Sequence, residues 1–224
     1  ESVSAGLNLK DAKFSIPGFD WTKPAGQEGK ASVTVLLNKG KPVAIPNFAI
    51  DSGLFSSDGD LTFLYPSDDP DPSLQTLSLK HFKLGATEFT ARAELNTEGT
   101  YLVNFTGQGF DAAPFNGKDL GGVDMQSLPA FSLKGNFEKF WIGPGAPANK
   151  LKINLRHDGK RWQRIEVDGA LPDGGKAIGI KMVPKDTGHK LSIYSADAGV
   201  LLKALDITET IREGSIEISG ERAG

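Results

Sequence analysis

Apolar and polar residues alternate along most of this chain, in short segments that turns separate from one another. Apolar side chains occupy every second position in residues 31–37, and the pattern returns in residues 89–95 and 178–182. Because successive side chains of a strand point to opposite faces of a sheet, each segment predicts a strand with one apolar face. Turn residues such as those of Asn38-Lys39-Gly40-Lys41 join the segments, so strands adjacent in sequence are expected to pair in an antiparallel meander.

One helix is predicted, near the end of the chain, within residues 191–220. Ser195 or Asp197 can cap it by accepting backbone N–H bonds. A further helical turn ended by Gly214 is expected to follow, and the alternation of a strand then resumes. The apolar side of the predicted helix consists of Ala198, Leu201, Leu202 and Leu205.

The 224 residues are expected to form a single β domain. Proline and several glycines interrupt the pattern in residues 111–122, which predicts a boundary or an exposed crossover there. The chain starts at Glu1 without a methionine, so we expect an N-terminal segment to have been removed or to lie outside this chain.

Composition excludes several kinds of function. The net charge is −3, so the chain as a whole has no electrostatic footprint for nucleic acid, and its acidity argues against tight binding to anionic head groups. Cysteine is absent, which excludes disulfides, thiolate metal sites and cysteine nucleophiles. No apolar run approaches the roughly 20 residues that a membrane span requires.

No catalytic motif stands out, and we expect neither an enzyme nor a cofactor. His81, His157 and His189 each stand alone, without a partner at the spacing of metal ligands. His157 and His189 lie beside glycine turns and charged neighbours, which predicts exposed loop histidines.

Aspartates are concentrated in two short segments. Carboxylates in a loop are the ligands that calcium prefers, but neither segment matches a calcium loop, and a solvated turn is the stronger interpretation. A pair of facing carboxylates for glycoside hydrolysis is not excluded by the sequence. The aspartates are Asp58, Asp60, Asp68, Asp69 and Asp71.

Three segments carry a resemblance to a known family. They are Phe14–Gly26 (aromatic, Trp, Lys-Pro, Gly), Gly107–Phe115 (G-x-x-x-D-A-x-P), and a C-terminal signature. In their order along the chain they resemble the AsmA-like superfamily, in the branch of large bacterial envelope proteins related to YhdP and TamB. The C-terminal signature consists of Ser195, Asp197, Ala198, Gly199, Leu201, Leu202, Leu205, Ile211, Arg212 and Gly214.

The resemblance implies a fold, a function and a location. It implies a curled antiparallel sheet, shaped as an open trough or half-barrel, and a chain that is part of a longer protein. The function it implies is non-enzymatic binding of lipid acyl chains in a hydrophobic groove, for phospholipid transport between inner and outer membrane or for outer-membrane maintenance. The implied location is the periplasm, with a tether to the inner membrane through segments outside this chain, and envelope proteins are implied as partners.

Alternation alone selects the residues that would line such a groove, and it leaves two other functions open. One is a closed β-sandwich or barrel that acts as an interaction module of the cell envelope. The other is a carbohydrate-binding or carbohydrate-active domain that uses Trp21, Trp141 or Trp162 as a stacking platform, although we expect Trp21 to be a buried plug at a sheet end. The groove candidates are Val33, Val35, Leu37, Val103, Phe105, Ile153, Leu155, Ile178, Ile180 and Leu191.

Overall fold

A single sheet of thirteen strands makes up most of the protein, and it is curled without closing on itself. The computed structural model describes residues 1–16, 19–65, 71–115, 128–143, 145–172, 175, 177–185, 188–204 and 207–223. The predicted mainly β fold with one short helix near the C-terminus is therefore confirmed. The closed sandwich or barrel is wrong, since the strands at the two edges of the sheet each have one neighbour.

The strands follow one another across the sheet in the order of the sequence. In sequence, a separate pair of two-residue strands, β2 and β3, comes between β1 and β4, which are neighbours in the large sheet. The only helices in the described residues are a 3-10 turn at Ala113–Phe115 and α1 at Ala198–Ala204. The strands are β1 (Ser2–Asn8), β2 (Phe14–Ser15), β3 (Thr22–Lys23), β4 (Lys30–Asn38), β5 (Lys41–Ser52), β6 (Phe55–Leu64), β7 (Ser73–Leu84), β8 (Thr87–Leu95), β9 (Tyr101–Asp111), β10 (Ala130–Trp141), β11 (Ala148–Asp158), β12 (Trp162–Ala170), β13 (Ala177–Lys185), β14 (Gly188–Ser195) and β15 (Ile216–Ala223).

One pair of neighbouring strands is an exception to the antiparallel arrangement of the sheet. β9 and β10 are parallel, whereas every other neighbouring pair is antiparallel. A parallel pair needs a connection that returns from one end of the sheet to the other, and Asp111 and Ala130 are the strand ends that this connection joins. The crossover predicted at residues 111–122 falls on this connection, of which residues 116–127 lie outside the described residues.

Register links one apolar position of every strand into an unbroken row across the whole sheet. Residues that pair directly across strands lie on the same face, so the row defines one face, which we call the apolar face. At about 4.8 Å per strand spacing, the row is about 58 Å long when measured along the sheet. This apolar row consists of Ala5, Val33, Phe48, Gly59, Leu79, Ala91, Phe105, Gly135, Ile153, Val167, Ile180, Ile193 and Ile218.

Two irregularities keep the apolar residues on this face where strict alternation fails. In β5 the register shifts between Ile45 and Phe48, and in β7 it shifts between Leu79 and Phe82. Each shift adds a residue to one strand, as a β-bulge does. Two apolar residues that are three positions apart in that strand therefore still lie on the same face.

The opposite face is polar. One row of directly paired residues on it runs from β6 to β15, and the ion pairs Lys80–Asp60 (3.2 Å) and Lys181–Glu166 (3.5 Å) join neighbouring strands there. The sheet therefore has one apolar and one hydrated face. The polar row consists of Asp60, Ser78, Arg92, Asn104, Lys134, Asn154, Glu166, Lys181, Ser192 and Ser219.

Two hydrophobic clusters cover the apolar face at the same end of the sheet. Phe55, Phe82, Phe89 and Phe137 are the buried aromatic residues of the first, which the β2–β3 segment covers with partly buried side chains that include Trp21. In the second, α1 packs Leu201 onto Leu171 and Ile178. We call this the capped end, and the opposite end, where Tyr65, Tyr101 and Trp162 lie, the far end.

Candidate functional site

The groove candidates selected from alternation lie on the apolar face. Val33, Phe105, Ile153 and Ile180 belong to the apolar row. Val35 and Leu37 continue the same side of β4 toward the far end, because β1 pairs with β4 without a bulge and the Leu37 N–H donates to the Glu1 carbonyl at 2.8 Å.

Three further candidates belong to a second apolar row, one residue pair closer to the far end. Val103, Leu155 and Leu191 lie in it, and it runs without a polar side chain from β5 to β15. Two adjacent rows give the face a continuous apolar width. The second row consists of Ile45, Leu61, Leu77, Ala93, Val103, Leu133, Leu155, Ile165, Met182, Leu191 and Gly220.

Ile178 is the candidate that the structure removes from an accessible surface. Its side chain is 7% exposed and packs with Leu171 and Leu201 under α1. Alternation placed it on the correct face, but it could not show that a helix covers this position. Ile178 is therefore part of the closed second cluster.

Outside the two clusters, much of the apolar face stays exposed. Ile180 is 38% exposed, Leu191 37% and Ile218 48%, whereas Ala91 in the first cluster is 8% exposed. Aliphatic side chains of this size are normally among the most buried residues. Contiguous exposed apolar surface is typical of interaction sites, so this part of the face is a candidate binding surface.

The C-terminal signature forms one compact unit around the start of α1. The Ser195 hydroxyl donates to the Asp197 carbonyl at 2.8 Å, and Asp197 caps the helix by accepting the Val200 N–H at 3.0 Å. A Cβ on Gly199 would lie 2.7 Å from the Ile211 carbonyl oxygen, so the segment after the helix passes directly over this glycine. The sequence allowed either Ser195 or Asp197 as the helix cap, and the structure shows that it is Asp197.

The segment after α1 differs from its prediction. The described residues 207–215 contain no helical turn, and Leu205 lies outside the described residues. The Gly214 carbonyl instead accepts the Ala198 N–H at 2.7 Å, which fastens this segment to the first residue of the helix.

The second quoted segment depends on close approach to two glycines of β9. A Cβ on Gly107 would lie 2.9 Å from the Phe137 ring, and one on Gly109 would lie 3.1 Å from the Trp141 ring. The glycines therefore leave room for aromatic side chains of β10 to lie against β9. Beyond them, the Asp111 N–H donates to the buried Thr87 hydroxyl at 3.0 Å.

The first quoted segment surrounds a lysine that is 0% exposed. The ammonium of Lys23 donates to the carbonyl oxygens of Lys10 (3.3 Å), Ala12 (3.0 Å) and Pro24 (3.0 Å), which uses all three of its donors. Trp21, two residues earlier, packs its ring 5.7 Å from Phe14 but is half-buried, so it is not the fully buried plug that was expected. Pro17 and Gly18 of this segment lie outside the described residues.

Replacing Lys23 with methionine should destabilise the protein by about 3 kcal/mol, because the carbonyls of Ala12 and Pro24 would lose a charged hydrogen-bond donor inside the protein. Urea unfolding measures the change. Lys10→Met is the matched control, since the Lys10 side chain is 52% exposed and should contribute less than about 1 kcal/mol through its ion pair with Glu28. Equal losses in the two variants would contradict a structural role for the buried ammonium.

The interpretation of His157 and His189 as exposed loop residues is wrong. His157 is 4% exposed in β11, where its ring stacks on Phe131 at 5.7 Å and meets the edge of Trp162 at 5.2 Å. His189 is half-buried in β14. His81 lies in β7 and shares a 3.1 Å hydrogen bond with the Ser56 hydroxyl.

The remaining polar candidates do not assemble into a centre. Asp60 pairs with Lys80 on the polar face, while Asp68 and Asp69 lie outside the described residues. In the described part of the chain, no three His, Asp or Glu side chains are grouped as metal ligands. The rings of Trp21 and Trp162 both pack against neighbouring aromatic rings, and each side chain is half-buried.

Comparison with family models, curated proteins and solved structures found no match for this chain. Among the described residues, none of the helices has the length and apolar character to cross a membrane. What the structure defines is a curled, unclosed sheet with one continuous apolar face that is capped at one end.

Proposed function

We propose that this protein binds lipid acyl chains along its apolar face and takes part in phospholipid transport or maintenance of the outer membrane. The observation that carries the proposal is the apolar row, which crosses all thirteen strands without a polar side chain. The resemblance of the three quoted segments to AsmA-like envelope proteins supports the same function and a periplasmic location.

The mechanism follows from the two faces of the sheet. With the apolar face on the inside of the curl, an acyl chain would lie along the row while its head group stays in water. Each methylene removed from water contributes about 0.8 kcal/mol. A row about 58 Å long exceeds the roughly 30 Å hydrocarbon core of a bilayer, so a tail could move along it without contacting water.

The two clusters at the capped end support a location for the acyl chain on the apolar face. Phe55, Phe82 and Phe89 are each less than a tenth exposed at the capped end, whereas Ile180 and Leu191 lie outside the clusters. Phe105 and Ile153 of the apolar row also pack against the first cluster, so we place the acyl chain toward the far end, chiefly along the second apolar row.

Mass spectrometry tests the proposal on the purified protein. Native spectra should show the protein with near-stoichiometric phospholipid, and organic extraction should release the same lipid. A lipid-free protein that is monomeric and stable would overturn the proposal. It would favour an interaction module that differs from the closed sandwich or barrel, because its sheet is open and a protein partner covers the apolar face. A polysaccharide pull-down addresses the carbohydrate-binding alternative, for which the engaged tryptophan rings give no support.

A further inference from the structure

We propose that the hairpin between β11 and β12 docks on the surface of a membrane that contains anionic phospholipid. This segment, Arg156–Arg164, has the sequence RHDGKRWQR, with four Arg or Lys residues and one aspartate. We call it the basic hairpin. Its nine residues carry a charge of +3, although the whole chain carries −3, so the overall acidity conceals a local cationic tip.

Three of the four cations of the basic hairpin have no acidic side chain as an ion-pair partner among the described residues, whereas Arg164 lies 3.7 Å from the Glu166 carboxylate. No described residue forms an ion pair with Arg156, Lys160 or Arg161, and all three side chains are exposed. Arg156 also pairs directly with Arg164 across the two strands. Like charges opposite each other destabilise a strand pair, and an external anion would relieve that repulsion.

The single carboxylate of the hairpin shapes the turn. Asp158 Oδ1 accepts the backbone N–H groups of Lys160 and Arg161, both at 2.8 Å, and Oδ2 accepts from Gln163 at 2.6 Å. The hydrogen bond from the Arg161 N–H, followed by that from Lys160, lowers the pKa of Asp158 below its usual value of 3.8. Asp158 therefore stays ionised at neutral pH and holds the turn that presents Lys160 and Arg161 to solvent.

The two faces of the basic hairpin differ in the way that a membrane interface requires. Arg156 and Arg164 lie on the polar face, while His157 and Trp162 pair on the apolar face, where Phe131 contacts both rings. Cationic side chains attract anionic lipid, and tryptophan favours the level of the head groups. Because Trp162 packs edge-on against its neighbours, its ring is a poor platform for stacked bases, so the hairpin suits a membrane better than RNA.

The location gives the hairpin a role in lipid exchange. It lies at the far end of the sheet, away from both clusters of the capped end, and Phe131 and Trp162 border the second apolar row there. A docked hairpin would bring the uncovered end of the apolar face to the head-group region. This role rests on the proposed function, whereas the docking itself does not.

Vesicle flotation tests the docking with the whole chain. The variant Arg156→Gln/Lys160→Gln/Arg161→Gln removes three cations of the hairpin. Its control, Arg92→Gln/Lys134→Gln/Lys152→Gln, removes three exposed cations from the middle of the polar face. On vesicles of phosphatidylglycerol and phosphatidylethanolamine at low salt, the hairpin variant should bind about a hundredfold more weakly than the unaltered protein, and the control should bind less than tenfold more weakly. Binding should also weaken steeply as salt is added.

Several results would overturn the docking. Equal binding to phosphatidylcholine vesicles, or equal losses in the two variants, would show that the hairpin cations do not recognise an anionic surface. Competition by millimolar inorganic phosphate at constant ionic strength would assign them to a site for free phosphate, and retention of an RNA oligonucleotide in place of vesicles would assign them to nucleic acid. Co-purified lipid is measured separately, so docking and lipid retention can fail independently.

Discussion

Replacing Ile180 with aspartate should abolish the retention of co-purified lipid while leaving the fold largely intact. Ile180 lies in the apolar row, with Val167 and Ile193 as its direct cross-strand neighbours. An ionised carboxylate held against hydrocarbon costs several kcal/mol, which corresponds to a loss of affinity of a hundredfold or more. Because the side chain is 38% exposed in the protein itself, the aspartate can be hydrated when no lipid is bound. Destabilisation should therefore stay near 1–2 kcal/mol.

The control places the same charge on the other face of the same region. Ser192 pairs with Lys181 in the polar row, so Ser192→Asp adds a carboxylate next to an ammonium and should retain lipid. Lipid content is measured by mass spectrometry and folding by urea unfolding. If Ile180→Asp folds and retains its lipid, Ile180 does not line the binding surface. Loss of lipid in both variants would show that added charge, and not its location on the apolar face, is responsible.

Strand positions and their apolar faces could be predicted from this sequence because both depend on local alternation. Residues such as Val33, Ile153 and Ile180 fall on one face once each strand is recognised. The register shifts near Phe48 and Phe82 could not be predicted, because a bulge appears in sequence only as a failure of alternation. Strand direction is also absent from a local pattern, which is why the parallel pair β9–β10 was not predicted.

The exposure of a side chain depends on residues that are distant in sequence, and the exposure predicted here for His157 was wrong for that reason. His157-Asp158-Gly159-Lys160 has the composition of an exposed turn, and the hydrogen bonds of Asp158 confirm that a turn is present. The His157 ring nevertheless turns onto the apolar face, where Phe131 of β10 covers it. Cover by a remote element explains Ile178 as well, since no local signal showed where α1 would pack.

The three quoted segments gain a common structural meaning that their spacing in sequence does not show. Buried Lys23 with its carbonyl acceptors, the glycines of β9 and the cap of α1 all lie at the capped end of the sheet. Their small or polar residues occupy places where a Cβ would collide or where a buried polar group must be satisfied. They therefore build the cap, while ordinary aliphatic residues, which carry no motif, build the remaining apolar face.

Replacing a phenylalanine with alanine should cost more stability in the capped part of the apolar face than in its uncovered part. Phe89 is 7% exposed and stacks on Phe82 at 4.6 Å, so Phe89→Ala should lower the free energy of unfolding by about 3–5 kcal/mol. Phe48 lies in the apolar row, is half-buried, and has no aromatic neighbour among the described residues. In delipidated protein, Phe48→Ala should cost only about 1–2 kcal/mol, because water already reaches part of the ring.

Bound lipid should change only one of these two values. A tail that lies along the apolar row removes the remaining surface of Phe48 from water, so Phe48→Ala should cost about 1 kcal/mol more in lipid-loaded protein than in delipidated protein. Phe89 is already covered by the protein, and its cost should be the same in both states. Urea unfolding of both variants with and without phospholipid measures the difference. An unchanged cost for Phe48→Ala would mean that lipid does not cover this part of the face.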